Sequence, residues 1–272
     1  MSESDRHDAW DAGEAYARYM GRWSRLVAPR FLDWLDVGAG ASWVDVGSGT
    51  GALTGAIVER CAPRSVVGIE PSAGFLAVAR ARVSDPAVRF EQGDARALPL
   101  ADGSADVAVS GLVLNFVPDP KAALAEAVRV VRPGGTVAFY VWDYPGGGMG
   151  MMRAFWTAAI ALDPGAADLG EDRRFPDCRP EKLAAMAEAA GLEAVRTDAI
   201  EALTVFPDFD DYWQPFTLGA GPAPGYCAKL PAEAREALRA RLDADLPRNE
   251  GGAIVLTARA WAVRGVRGEV CR

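Results

Sequence analysis

Hydrophobic and polar residues follow one another in blocks along residues 43–142, and these blocks predict strands and helices in alternation. Short, mainly apolar runs predict buried strands at Trp43–Val46 and Arg64–Glu70. Further strands are predicted at Val88–Asp94, Ala105–Gly111 and Thr136–Trp142. Between them, apolar residues recur three or four positions apart, as at Leu53 and Ile57, which predicts helices. Alternation at this short spacing is typical of a parallel sheet with right-handed crossovers. The pattern therefore predicts an α/β fold.

Further elements are predicted on both sides of this region. Apolar and aromatic residues from Glu14 to Leu35 have helical spacing, which Pro29 is expected to interrupt. Helices are predicted at Asp119–Arg132, Met151–Leu162, Pro180–Ala190 and Pro231–Leu246, and strands at Leu192–Leu203 and Ala253–Val263. Asp119 and Ser72 are expected to cap helices, and Pro133-Gly134-Gly135 to end one.

Residues 204–230 have no clear helix or strand period but carry six aromatic rings. These are Phe206, Phe209, Tyr212, Trp213, Phe216 and Tyr226. A long aromatic insertion in a compact domain is often a binding loop, so we predict that this segment covers a ligand. A second small core is the alternative.

We interpret the chain as a helical cap (1–36), a ligand-binding core (37–145), a region of helices, sixth strand and aromatic cover (146–250), and a last strand with its tail (251–272).

Composition narrows the function classes. The 272 residues carry 29 basic and 37 acidic side chains, a net charge of −8, with no basic run, which argues against a nucleic-acid partner. The four cysteines are scattered and His7 is the single histidine, so we predict no metal site and a reducing, cytoplasmic location. The polar start is unlike a signal peptide, and the longest apolar stretch is too short for membrane insertion.

A glycine-rich turn follows the first predicted strand. Gly47, Gly49 and Gly51 stand between that strand and the first helix of the sheet, and glycine leaves no Cβ between the main chain and a ligand. This strand–turn–helix unit opens nucleotide-binding sheets. Alone it is ambiguous, because Gly47-x-Gly49-x-x-Ala52 also fits the dinucleotide fingerprint.

Acidic residues at successive strand ends separate a dinucleotide site from a site for another ligand that contains a nucleoside. Glu70 stands 23 residues after Gly47 and is placed to bind ribose hydroxyls, which either kind of ligand carries. Asp94 ends the third strand, where it can accept a hydrogen bond from an adenine amine. Asp45 adds negative charge that would repel a pyrophosphate and attract a ligand carrying a sulfonium and an ammonium. Considered one at a time, Asp94 has an ordinary turn role as its alternative, and Asp45 has a cap or loop-anchoring role.

Residues 43–142 resemble the core of class I S-adenosylmethionine-dependent methyltransferases, especially the small-molecule group that includes ubiquinone and menaquinone methyltransferases (methyltransferase type 11). The resemblance rests on Val44-Asp45-Val46-Gly47-Ser48-Gly49-Thr50-Gly51, Gly68-Ile69-Glu70-Pro71-Ser72, Gln92-Gly93-Asp94-Ala95 and Leu124-x-Glu126-x-x-Arg129-Val130-x-Arg132-Pro133-Gly134-Gly135. It implies a Rossmann-like, doubly wound sheet of seven strands, mostly parallel with an antiparallel last strand. The N-terminal helix and the aromatic insertion would add to that sheet.

The resemblance also implies roles for individual residues toward S-adenosylmethionine. The glycine turn 47–51 would hold the methionine moiety, Glu70 with Pro71 and Ser72 the ribose, and Asp94 with Ala95 the adenine. The Ser110 carbonyl would meet the ligand ammonium, and Leu112 would pack against the ligand. From their place on the N-terminal helix, Tyr19, Met20 and Arg22 are predicted to close over the ligand, with Arg22 reaching its carboxylate. The alternatives are a helix that only packs on the sheet edge and, for Arg22, a solvated charge.

These observations predict direct, in-line methyl transfer to a small, largely apolar or aromatic acceptor. A general base is optional; Asp143 and Tyr144, just after the fifth strand, are candidates, with a plain loop role as the alternative. An NAD(P)-dependent oxidoreductase would leave Asp45 and Asp94 unused, and the chain lacks a Tyr-x-x-x-Lys pair. A non-catalytic, cofactor-binding scaffold is the third interpretation. The acceptor's identity, the atom methylated and the oligomeric state stay open.

Overall fold

The computed structural model describes residues 21–219 and 221–269. The strands are β1 (Ser42–Val46), β2 (Ser65–Glu70), β3 (Val88–Gln92), β4 (Ala105–Gly111), β5 (Val131–Trp142), β6 (Leu192–Phe206) and β7 (Ile254–Arg267). The helices are α1 (Arg22–Leu35), α2 (Ala52–Cys61), α3 (Ala73–Arg82), α4 (Pro120–Val130), α5 (Gly150–Leu162), α6 (Glu171–Arg174), α7 (Pro180–Ala189), α8 (Phe209–Trp213), α9 (Pro222–Lys229) and α10 (Ala232–Asp245). Short 3₁₀ turns cover Leu114–Phe116, Pro164–Asp168 and Gln214–Thr217.

The seven strands form one sheet in the order β3-β2-β1-β4-β5-β7-β6. Neighbours among β1 to β5 run parallel, and β7 runs antiparallel to β5. The α/β fold, the seven strands and the antiparallel last strand are therefore confirmed. Because the strand order reverses at β1, the carboxyl ends of β1 and β4 flank the switch point, where open α/β sheets bind ligands.

The chain divides into two compact units. Of the described residues, the sheet unit comprises 24–142, 177–200 and 260–269, and the aromatic unit comprises 21–23, 143–176 and 201–259. The core of the sheet unit is built from strand residues such as Trp43, Ile69 and Phe139, all 1% exposed. The domain boundaries predicted from the sequence stay a prediction.

Helix α1 passes through Pro29 without a break, so the expected interruption is wrong. Proline removes one backbone hydrogen bond, but tertiary packing supplies most helical stability in proteins. Val27 and Ala28 before the proline and Phe31 after it are fully buried. The ring of Phe31 lies 4.6 Å from that of Tyr140 on β5, so packing holds the helix together across the proline.

Helix α4 ends at Val130, and β5 begins at once at Val131, earlier than the sequence predicts. Ala105 pairs with Val131, but Val107 pairs with Thr136, so Arg132–Gly135 form a bulge within the strand. A Cβ on Gly135 would lie 2.6 Å from the Asp106 carbonyl oxygen. The glycines of Pro133-Gly134-Gly135 therefore have two roles: they follow the end of α4, and they permit the bulge in β5.

The aromatic segment 204–230 is ordered into secondary structure. It holds the end of β6, helices α8 and α9, and the 3₁₀ turn between them. Phe206, Tyr212 and Phe216 are fully buried, and Phe216 stacks on Phe155 of α5 at 4.4 Å. Phe209 and Trp213 are 8% exposed. These rings build the core of the aromatic unit, as the alternative interpretation expected; a covering role toward a ligand stays a prediction.

Among the described residues, no helix combines the length and apolar character that crossing a bilayer requires. Cys61, Cys178 and Cys227 are buried.

Candidate functional site

The glycine turn follows β1, and its glycines have a left-handed backbone conformation. Gly47, Gly49 and Gly51 have φ of 74°, 53° and 83°. A Cβ on Gly47 would lie 2.5 Å from Cγ1 of Val113, far inside van der Waals contact. Both its positive φ and this close approach require glycine at position 47. The residues after β4 are therefore held directly against the turn.

The N–H groups of the turn are used within the chain. Gly47 and Ser48 both donate to the carbonyl of Ile69, at 2.8 and 3.0 Å, and Gly51 donates to the carbonyl of Ser48 at 2.9 Å. Turns that bind phosphate instead aim such groups at the ligand. With three of its amides engaged in this way, the turn is poorly suited to hold an anion through its backbone.

Glu70 ties the end of β2 to the same turn. Its Oε2 accepts from the N–H of Gly49 at 3.1 Å, and its Oε1 accepts from the N–H of Ser72 at 3.0 Å. Burial raises the pKa of this carboxyl, although both hydrogen bonds oppose the rise. Ser72 caps α3 by accepting from Phe75 N–H, as predicted. Glu70 therefore lies beside the turn, where a ribose diol is predicted to bind.

Asp45 is a second buried carboxyl beside the turn, only 1% exposed. Its Oδ2 accepts from the Thr54 hydroxyl at 2.6 Å, while its buried Oδ1 has no hydrogen-bond partner among the described residues. Burial raises the pKa of Asp45 to about 7; the Glu70 charge adds to the rise, and the Thr54 hydroxyl opposes it. An unpartnered acceptor in a buried position is costly and favours a donor or cation supplied by a ligand.

The titration of Asp45 predicts a pH-dependent affinity for a cationic ligand. Below about pH 7 the carboxyl holds a proton, which an ammonium or sulfonium neighbour must displace. Because the raised pKa belongs to the ligand-free state, affinity should rise about tenfold from pH 6 to pH 8 and then level off. Calorimetry with S-adenosylhomocysteine at several pH values tests this. The Asp45→Asn variant should bind with no such slope, and a flat wild-type profile would contradict the prediction.

Asp94 lies after β3 with its carboxylate 46% exposed. It accepts from the backbone N–H of Arg96 at 2.8 Å and forms an ion pair with that guanidinium at 2.6 Å. The side-chain hydrogen bond from Arg96 is the main cause that lowers the pKa of Asp94, so the carboxylate stays ionised. Arg96 was not among the residues predicted for the site, and the predicted contact of Asp94 with adenine stays a prediction.

The end of β4 completes the sheet side of the site. The Ser110 hydroxyl donates to the Val46 carbonyl at 2.8 Å, which links β4 to β1. Ser110 and Ala95 line one small apolar cavity of about 20 Å³. Leu112, 5% exposed, has a φ of 62°, and its N–H donates to the Tyr140 carbonyl at 2.8 Å. The predicted ligand residues of β1, β2 and β4 therefore lie at the ends of neighbouring strands, and their roles toward a ligand stay predictions.

Three other predicted site residues belong to the aromatic unit. Arg22 forms two hydrogen bonds of 2.8 Å with Asp211. Asp143, 1% exposed, forms an ion pair with Arg259 at 2.6 Å, and Tyr144 packs on Phe175 at 5.4 Å. The roles predicted for Arg22, Asp143 and Tyr144 stay predictions. Tyr19 and Met20 lie outside the described residues.

Several polar groups near the turn were missed by the sequence analysis. Ser48 Oγ and Asn115 Nδ2 are buried and have no hydrogen-bond partner among the described residues. Arg82 donates to the hydroxyl of Thr50 at 3.0 Å, 32 residues away along the chain. Ser48 and Thr50 were visible inside the glycine turn, but nothing local in the sequence indicated that Arg82 would reach Thr50.

Comparisons with known proteins agree with this geometry. A family model described as a methyltransferase domain matches residues 44–139. The 2-phytyl-1,4-naphthoquinone methyltransferase of Thermosynechococcus vestitus is 31% identical over 175 residues, covering 61% of this chain and 78% of that protein. The arsenite methyltransferase of Aquipseudomonas alcaligenes is 39% identical over 137 residues, covering 46% and 37%.

The fold has solved counterparts. Phosphoethanolamine N-methyltransferase 2 of Haemonchus contortus, solved with S-adenosyl-L-methionine, matches with a TM-score of 0.59 at 17% identity, covering 99% of this chain and 60% of that one. The chain spans only 31%, 37% and 49% of the length of three curated relatives that it matches. With the family model, the naphthoquinone relative and the sheet in agreement, the chain belongs to the class I S-adenosylmethionine-dependent methyltransferases.

Proposed function

We propose that this protein transfers the methyl group of S-adenosylmethionine to a small-molecule acceptor. The observation that carries the proposal is the electrostatic character of the glycine turn. Its Gly47, Ser48 and Gly51 amides are engaged within the chain, while the buried carboxyls of Asp45 and Glu70 flank it. Such a turn suits a ligand with a sulfonium and an ammonium and disfavours the pyrophosphate of a nicotinamide dinucleotide.

The chain's residues supply binding and alignment in this reaction. S-adenosylmethionine carries an already activated methyl group, so the protein's task is to orient the cofactor and the acceptor and to exclude water. Glu70 would hold the ribose, and the unpartnered Asp45 Oδ1 would receive the ligand ammonium. Asp143, a candidate base, is already bonded to Arg259 and to the N–H of Gly146. This favours acceptors that need no strong base.

We propose a largely apolar or aromatic acceptor. Two relatives support a small molecule: one is named for a naphthoquinone and another for arsenite. An aromatic ring that is not buried supports the apolar character, because it can offer contact area to a planar ligand. Tyr226 is the one aromatic residue of the 204–230 segment that is neither fully nor nearly buried, and its hydroxyl donates to Asp163 at 3.1 Å.

Cofactor binding tests the proposal directly. We expect calorimetry to give micromolar dissociation constants, about −8 kcal/mol, for S-adenosylmethionine and S-adenosylhomocysteine. NAD should bind far more weakly, because the turn cannot take a pyrophosphate. Binding of NAD that is tighter than that of S-adenosylmethionine would contradict the proposal. Release of S-adenosylhomocysteine on incubation with a mixture of small molecules separates an enzyme from a cofactor-binding scaffold.

Replacing Glu70 by alanine should weaken cofactor binding by about 1.5–3 kcal/mol, since a charged acceptor for hydroxyl groups is lost. The same change frees the N–H groups of Gly49 and Ser72. Glu91→Ala on the adjacent strand is the matched control, because Glu91 is paired only with the exposed Arg89 within the described chain. Equal affinity in folded Glu70→Ala protein would limit Glu70 to a structural role.

A further inference from the structure

A groove lies between the end of α3 and the start of β3, and eight residues between positions 80 and 90 line it. Its volume is about 570 Å³, which is within the range of small-molecule sites. Because β3 runs parallel to β2, the groove lies at the amino end of its strand, whereas the predicted cofactor residues lie at carboxyl ends. None of the residues predicted for the cofactor or the acceptor lines this groove. It is therefore a separate candidate site.

Part of the lining of the groove is apolar. Val83 and Val88 are partly buried and pack against a buried cluster that includes Phe90, which is 9% exposed. Pro86 adds a further apolar surface to the lining. Small-molecule sites typically combine such a lining with a few polar groups that orient the ligand. The groove therefore suits a ligand with an apolar part.

Two charged side chains of opposite sign belong to the same lining, and each is bonded to the backbone. Nη2 of Arg80 donates to the carbonyl of Phe90 at 2.8 Å, and Oδ1 of Asp85 accepts from the N–H two residues further on, also at 2.8 Å. The remaining charged residue of the lining, Arg89, is paired with Glu91 at 2.6 Å. In the part of the chain that the structure describes, Arg80 and Asp85 form no ion pair. A ligand carrying both a carboxylate and an ammonium would satisfy both charges.

Two residues of the groove also pack against the glycine turn. A Cβ on Gly51 would lie 3.2 Å from Cγ2 of Val83. A Cβ on Gly68 would lie 2.5 Å from Cδ1 of Phe90 and 3.0 Å from Cβ of Ser48, so Phe90 and Ser48 both lie against Gly68. A ligand in the groove would therefore contact side chains that support the turn.

We propose that this groove binds a small zwitterion of the amino-acid class with an apolar side chain, and that its binding strengthens cofactor binding at the glycine turn. The ligand carboxylate would meet Arg80 and the ammonium Asp85. Its apolar part would hold Val83 and Phe90 in place against the turn. This coupling rests on the proposed function, whereas the groove itself does not. Because coupling between two sites is reciprocal, the cofactor should strengthen binding in the groove by the same factor.

Three small probes that differ in charge test the site. L-phenylalanine carries both charges, phenethylamine lacks the carboxylate, and phenylacetate lacks the ammonium. In titrations followed by NMR chemical shifts, we expect a dissociation constant of about 1 mM for L-phenylalanine. Each singly charged probe should bind about threefold to fivefold more weakly, as expected for exposed charge pairs.

Variants of the two charged residues assign these differences. Arg80→Ala should bind L-phenylalanine no better than phenethylamine, and Asp85→Asn should bind it no better than phenylacetate. Arg60→Ala is the matched control, because Arg60 is a partly exposed arginine of the same unit that lies outside the groove and pairs with Asp33. Equal affinity of the wild type for all three probes would overturn the zwitterion site, and so would unchanged L-phenylalanine affinity in Arg80→Ala.

Calorimetry with S-adenosylhomocysteine tests the coupling. Saturating L-phenylalanine should tighten S-adenosylhomocysteine binding about fivefold. Val83→Ala should reduce this gain, because the shorter side chain no longer reaches Gly51. Binding in the groove without any change in S-adenosylhomocysteine affinity would overturn the coupling. Wild-type protein that binds L-phenylalanine but not S-adenosylhomocysteine would instead contradict the proposed function and support the groove as a site of its own.

Discussion

Replacing Gly47 by alanine should lower the free energy of unfolding by about 2–5 kcal/mol and abolish most cofactor binding. The left-handed backbone at φ 74° costs an alanine about 1–2 kcal/mol. The new methyl group would also lie 2.5 Å from Cγ1 of Val113, and overpacking of this kind adds about 1–3 kcal/mol. Urea unfolding measures the stability loss. Calorimetry with S-adenosylhomocysteine measures the loss of binding, which we expect to exceed tenfold.

Gly40→Ala separates the two causes. Gly40 has a similar φ of 80°, but a Cβ there would meet no atom within 4 Å. The free energy of unfolding of Gly40→Ala should therefore fall only by the cost of the left-handed backbone, about 1–2 kcal/mol, and the variant should keep full cofactor affinity. If the two variants lost equal stability and both bound the ligand normally, contact between the turn and Val113 would have no part in shaping the site.

Asp143→Ala should destabilise the protein by about 3–5 kcal/mol, since it breaks an ion pair whose carboxylate is buried and leaves Arg259 its longer contact with Glu201 at 3.5 Å. The Asp143 side chain is 1% exposed and accepts from Nε of Arg259 at 2.8 Å and from the N–H of Gly146 at 2.8 Å. We expect the lower end of this range, because Arg259 is 30% exposed and water can reach it. Urea unfolding followed by tryptophan fluorescence measures the effect.

A double-mutant cycle with Arg259→Ala isolates the pair. If Asp143 serves mainly to hold Arg259, the double variant should be little less stable than Asp143→Ala alone. Additive losses would mean that the two side chains act independently. Asp143→Asn keeps the acceptor for Gly146 and removes the charge, so loss of methyl transfer in a stable Asp143→Asn protein would support Asp143 as a base.

Local signals in the sequence were sufficient for most of the sheet unit. Buried strands such as β1 and β2 are mainly apolar runs, and the Ser72 and Asp119 caps each depend on a residue three positions away. Such short-range chemistry is legible in one chain. The start of β5 was missed because Pro133-Gly134-Gly135 also looks like a helix end, and only pairing with β4 draws Val131 into the sheet.

The partners of charged side chains could not be read from the sequence. Asp211 lies 189 residues from Arg22, and Arg82 lies 32 residues from Thr50. Nothing near Arg22 indicates that it meets a carboxylate of the protein. Likewise, the glycines at 146 and 148 suggested a mere turn, whereas a Cβ at either would lie within 2.7 Å of Asp143 Oδ2. Tertiary contacts decide such roles.

The division into two units has a consequence for dissecting the protein. The backbone passes from one unit to the other after Trp23, Trp142, Pro176, Ile200 and Arg259. No single cut therefore releases either unit as an uninterrupted polypeptide, and β6 and β7 are each split between the two. A truncation made directly after Ile200 or directly after Arg259 leaves half of a strand without its own continuation. Limited proteolysis should accordingly yield nicked molecules that stay associated, and separately expressed halves should regain activity only when mixed.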